Sequence, residues 1–201
     1  MKVKVLLLVV LMSLIVASCS KKITTRRYYV LELTNTTAQT KPDTALFDIQ
    51  VDVRDFRVAR AFDQTRIALR TNTNELDYYF YHHWAAKPGQ AVADFVYDVV
   101  EQHNVFSQTS RGISYDPDYL IIGDLKSLER IQDRKEAFAH VHLVIELVDA
   151  ETEEPVVRYE QDQQLPVEPP KSMNSFARVT SQILKHDTNE FISNVEKFLQ
   201  K

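Results

Sequence analysis

The chain opens on an aliphatic block. Val5–Leu11 is unbroken, and the apolar run continues through Met12, Leu14, Ile15 and Val16 behind Lys2 and Lys4. A membrane-spanning helix needs about 20 apolar residues, and this block is shorter. Basic residues, a short apolar stretch and then small residues describe a secretory signal peptide, expected over residues 1–18.

From there the period falls to two. Tyr28–Leu33 predicts a first strand, and Thr34–Thr44, with its Thr, Asn and Pro, a loop. Phe47–Val53 alternates strictly, which predicts Phe47, Ile49, Val51 and Val53 inward and Asp48, Gln50 and Asp52 outward. Arg66–Arg70 and Leu76–Tyr81 predict a hairpin turning at Thr71–Asn74. The period then lengthens. Val92, Phe95, Val96, Val99 and Val100 recur every three or four residues, so Gln90–Gln102 reads as a helix, ended by His103 and Asn104. Val105–Gln108 predicts a short strand, and Tyr119–Arg130, Ala137–Asp149 and Val156–Leu165 three long ones with charged turns between them. Pro166, Pro169 and Pro170 stop the sheet. From Ser172 a second helix of about 40 Å runs almost to the last residue. Its inner stripe holds Met173, Phe176, Ala177, Thr180, Ile183, Leu184, Phe191, Ile192, Val195, Phe198 and Leu199.

These elements predict one α/β (α+β) domain over residues 28–201. Its twisted sheet, mostly antiparallel or mixed, is packed by two helices, one of them long and C-terminal. Removal of residues 1–18 leaves 22 basic against 28 acidic residues. An acidic surface argues against nucleic acid as a partner. Gly89, Gly112 and Gly123 are the only glycines, too few and too scattered to build a phosphate-binding loop.

The densest chemistry is aromatic. In Tyr78–Trp84, alternation places Tyr78 and Phe80 on one face and Tyr79 and Tyr81 on the other. A central strand covered on both sides, with Trp84 wedged at the helix start, accounts for this. So does a contact surface for a partner or apolar ligand built from Tyr79, Tyr81 and Trp84. Among the histidines, His82 and His83 diverge along a strand. His140 and His142 share a face, yet no third ligand is evident, so a polar sheet face or interface pair is expected and no metal. No GxSxG elbow marks a hydrolase, and no cofactor is expected.

The single cysteine stands at the end of the apolar block. Val16-Ala17-Ser18-Cys19 resembles the bacterial lipobox, which implies acylation of Cys19 and cleavage before it. Ser20, at the position where aspartate retains such proteins in the inner membrane, implies release to the inner leaflet of the outer membrane. Ser20–Arg27 is then a basic tether reaching about 27 Å when extended.

The order of lipobox, YYVL strand, VDV strand and then YFYHHWAAKPG before a helix resembles the ABC-type transport auxiliary lipoproteins, the PqiC-like family. Tyr81, Trp84, Ala85, Ala86 and Pro88 fit its Tyr-x-x-Trp strand end and turn. The resemblance implies a periplasm-facing, non-enzymatic, oligomeric accessory of an MCE-domain protein and ABC permease that move lipids between membranes. An acyl-chain carrier with a cleft between the C-terminal helix and the sheet, and a structural envelope lipoprotein, are the alternatives.

Overall fold

A computed structural model describes residues 25–33, 44–114, 116–169 and 171–201. The signal segment, Cys19, Ser20 and nearly all of the predicted 34–44 loop lie outside the described residues. In chain order the elements are β1 (Arg27–Tyr29), β2 (Phe47–Val53), β3 (Arg57–Val58), β4 (Arg66–Asn72) and β5 (Glu75–Trp84). There follow α1 (Pro88–His103), β6 (Phe106–Arg111), β7 (Tyr119–Asp133), β8 (Glu136–Asp149), β9 (Pro155–Pro166) and α2 (Met173–Leu199).

The spine of the sheet is β7. One of its edges is taken along its whole length by β8, antiparallel, and β9 follows on β8. The other edge is shared by three strands in turn, all parallel to it. Val51 of β2 pairs with Tyr119, Arg57 of β3 with Asp124, and Ala68 of β4 with Glu129. From this edge the sheet forks. One branch adds β6 to β2, and the other adds β5 to β4 and then β1 to β5. The result is an open, mixed nine-stranded sheet.

Both helices lie on one face and share one core. On β8, Ala139, Val141, Leu143, Ile145 and Leu147 point at them and are fully enclosed. α2 brings Phe176, Ile183, Leu184 and Phe191 against that surface. These side chains fill the helix–sheet interface where the carrier reading needs an open cleft. α2 starts where Ser172 accepts a hydrogen bond from the Ser175 amide, and α1 ends on Asn104 in the left-handed conformation (φ 52°). No helix among the described residues is long and apolar enough to cross a membrane.

Several local expectations change. The first strand is three residues rather than six, because its partner β5 ends opposite Tyr29, at Trp84. The following segment crosses α2 instead, where the Glu32 amide donates to Ser181 Oγ at 3.2 Å. β3 was not predicted, being too short to show a period. Asp52 keeps its place in the alternation, on the face opposite Val51 and Val53, but it is fully buried there rather than exposed to solvent. Ser110 Oγ and the Gly112 amide each donate to its Oδ1 at 2.7 Å, and Arg54 Nε stands 2.7 Å from its other oxygen. These partners replace the water the carboxylate loses.

Candidate functional site

Tyr79, Tyr81 and Trp84 all lie on β5, yet the strand presents them differently. Ala68 pairs with Tyr78 and Arg66 with His83, so β5 advances five residues where β4 moves two. The surplus of three residues is an irregular bulge over residues 79–82, and it cancels the two-face alternation there. Phe80 and Tyr81 are pushed outward, 67% and 40% exposed, with their rings edge to face at 4.8 Å.

Tyr79 turns toward the helices. Its hydroxyl accepts from Arg130 Nη1 at 2.8 Å, and its ring meets His82 edge-on at 5.4 Å. His82 Nδ1 is bonded to the Tyr29 hydroxyl at 2.8 Å. Burial, then the charges of Arg27 and Arg130, push the His82 pKa below its ordinary value, so the ring is neutral at pH 7. Trp84 is 2% exposed and packs against Phe176, so its indole is core. Of the three residues predicted from sequence, only Tyr81 offers a ring to the outside, and Phe80 joins it.

Arg130 knits this corner together. Besides Tyr79 it donates to the Lys171 carbonyl at 3.1 Å and meets Met173 Sδ at 3.6 Å, so β5, β7 and the start of α2 share one buried guanidinium. A cavity of about 260 Å³ opens between Tyr28–Val30 and Asn174, Ala177 and Arg178 of α2.

The sheet face away from the helices carries a ladder of ion pairs. Arg70 Nε donates to both oxygens of buried Glu129, at 2.9 and 3.0 Å. His140 Nδ1 meets the same carboxylate at 2.8 Å, and its Nε2 meets Asp162 at 2.7 Å. With a carboxylate at each nitrogen, both must carry protons. The Glu129 bond raises the His140 pKa against the effect of burial, and Asp162 adds to it. Burial would raise Glu129, but the hydrogen bonds from His140 and Arg70 outweigh it and hold the carboxyl below its ordinary value. His142 shares this face, as its two-residue spacing predicts, and bonds Glu160 at 3.0 Å. Among the described residues, no three His, Cys, Asp or Glu side chains are arranged to hold a metal.

At the far end of the sheet an open cleft of about 640 Å³ is lined by Asp48, Asp116, Asp118, Asp149 and Glu151. Two of these carboxylates serve the backbone. Asp118 accepts from the Gln50 amide, and Asp149 from the Glu151 and Thr152 amides of its own turn.

Sequence reasoning missed the buried acidic and arginine side chains among the described residues, Asp52, Glu129, Arg130 and Asp187. Asp187 had a signal, because it continues the inner stripe of α2 three residues after Leu184. It is fully enclosed, and its Oδ1 accepts from Tyr159 Oη at 3.1 Å and Gln163 Nε2 at 2.5 Å. Burial lifts its pKa to about 6 despite these bonds and the His186 charge.

A family model described as ABC-type transport auxiliary lipoprotein component matches residues 29–190. Among solved structures, protein XCC0632 from Xanthomonas campestris, of the DUF330 family, is similar at 19% identity and TM-score 0.68. The match covers 88% of this chain and 98% of that one. An uncharacterized protein is similar at 12% identity and TM-score 0.63, covering 85% and 99%. At these identities the likeness is one of fold. No curated protein matches this chain.

Proposed function

The chain belongs to the family of ABC-type transport auxiliary lipoproteins, and from that premise we propose that it is a non-enzymatic accessory subunit of an MCE- and ABC-type system moving lipids between membranes. The observation that carries the proposal is the extent of the family match. It begins at Tyr29, ten residues after the Cys19 of a lipobox-like segment, and runs through most of α2. In this reading residues 1–18 are removed, Cys19 is acylated and Ser20 directs the protein to the outer membrane's inner leaflet. Residues 19–27 form the tether, and the domain over 28–201 faces the periplasm as a homo-oligomer. Energy coupling falls to other polypeptides, the permease and its ATPase.

A tag placed after Lys201, with cross-linking in intact cells and mass spectrometry of what co-purifies, tests the proposal. Recovery of an MCE-domain protein or its permease is the expected result, and recovery of the tagged protein alone overturns it. Cys19→Ala should leave an uncleaved precursor. Normal processing and normal membrane fractionation of that variant would show that Cys19 is not the anchor.

A further inference from the structure

We propose that the Phe80–Tyr81 bulge is a membrane-contact edge, lying against the headgroup region of the bilayer that carries the anchor. This rests on the lipoprotein reading above and adds to it an orientation of the domain.

The placement follows from the register. β1 runs parallel to β5 and pairs Arg27 with His82, so the chain enters the sheet immediately beside the bulge. Between Cys19 and Arg27 lie only the seven residues Ser20–Arg26. With those seven residues between them, Cys19 and Arg27 are eight steps apart, at most about 29 Å when fully extended. An acylated Cys19 therefore keeps this edge within that distance of the lipid, whereas the acidic cleft lies at the other fork of the sheet.

The chemistry of the edge matches the same surface. Aromatic rings with apolar bodies are favoured at the membrane–water interface, and here two are held outward by a backbone bulge. Next to them Tyr28 of the edge strand β1 is 60% exposed, and Val30, just past the strand, is exposed as well. Arg26, Arg27 and Arg66, all exposed, flank the aromatic pair, on a chain whose overall charge is negative. Basic side chains near the surface favour anionic headgroups. The acids on the same strand, Glu75 and Asp77, lie five and three residues back from Phe80. A protein partner could use the rings but would not need them at the point where the tether enters.

The only tryptophan, Trp84, is buried, so a second indole at the bulge reports on its own surroundings. The acylated full-length F80W protein would be reconstituted in vesicles of phosphatidylethanolamine and phosphatidylglycerol, with and without bromine on the acyl chains. The wild-type protein supplies the Trp84 signal for subtraction. Expected is a blue-shifted emission that loses intensity with brominated lipid, repeated for Y81W. If protein floats with the vesicles while both indoles stay red and unquenched, the membrane edge is wrong and the anchor stands. If acylated protein is not obtained and nothing floats, the lipoprotein reading itself fails. Photo-cross-links from position 80 to a protein in cells, without quenching in vesicles, would assign the edge to a protein and overturn the inference.

Discussion

Asp187 places an ionisable group where charge is expensive, and the size of the effect can be worked out. The carboxyl is fully enclosed between α2 and β9. Its Oδ1 has two donors, Tyr159 and Gln163, while Oδ2 has no hydrogen-bond partner among the described residues. Burial raises the pKa from 3.8 to about 6. Each pKa unit corresponds to about 1.4 kcal/mol, so ionised Asp187 destabilises the fold by about 3 kcal/mol relative to its protonated form. The sign follows from the raised folded-state pKa. The contribution is fully favourable below pH 3.8 and is lost as the pH rises through about 6. Asp187→Asn keeps the acceptor for Tyr159 and Gln163 but cannot ionise. The amide exchanges the bare Oδ2 for unpaired N–H groups, at a cost of about 1–3 kcal/mol that does not vary with pH. The variant should therefore be no more stable than wild type at pH 4, and gain about 3 kcal/mol relative to it by pH 7.5. Urea unfolding at several pH values, followed by circular dichroism, gives the difference curve. A flat difference between pH 4 and 7.5, or one of opposite slope, would refute the reasoning.

Three further outcomes follow from the core. Trp84→Ala should destabilise by about 3–5 kcal/mol, because the indole fills the space under Phe176; a small change in the denaturation midpoint would show that the ring is not core. Asp52→Ala strips the acceptor from Ser110 and from the Gly112 and Ile113 amides, and should cost about 3 kcal/mol or more; chemical denaturation checks it, and a loss below about 1 kcal/mol contradicts the role. Gly123→Ala puts a Cβ 2.4 Å from the Phe56 ring and should cost about 1–3 kcal/mol. Adding Phe56→Leu should recover part of that loss, and two losses that simply add would show that the ring is not the obstacle.

The local order of the chain was legible from residue to residue. β2 spans the alternating segment Phe47–Val53, and α2 begins after its Ser172 cap and carries its apolar stripe. The β4–β5 and β7–β8 hairpins join neighbours in the chain. Periodicity, caps and turns act over a few residues, so they are written locally, and the lipobox-like segment is likewise a matter of adjacency. What required the tertiary structure is everything that depends on distant partners. The sharing of one β7 edge among β2, β3 and β4 pairs residues 61 to 68 positions apart, with no local mark in any of them. The bulge that exposes Phe80 and Tyr81 and turns Tyr79 inward lies in the pairing of β5 with β4, between Tyr78 and His83, and only that long-range register reveals it. Glu129 and Asp52 sit at positions that alternation alone assigns to solvent. They are enclosed because Arg70 and His140, and Ser110 and the Gly112 amide, come from elsewhere in the chain to replace their water. A sequence records which side chains are polar, but burial of a charge is permitted only by the partners that folding brings to it.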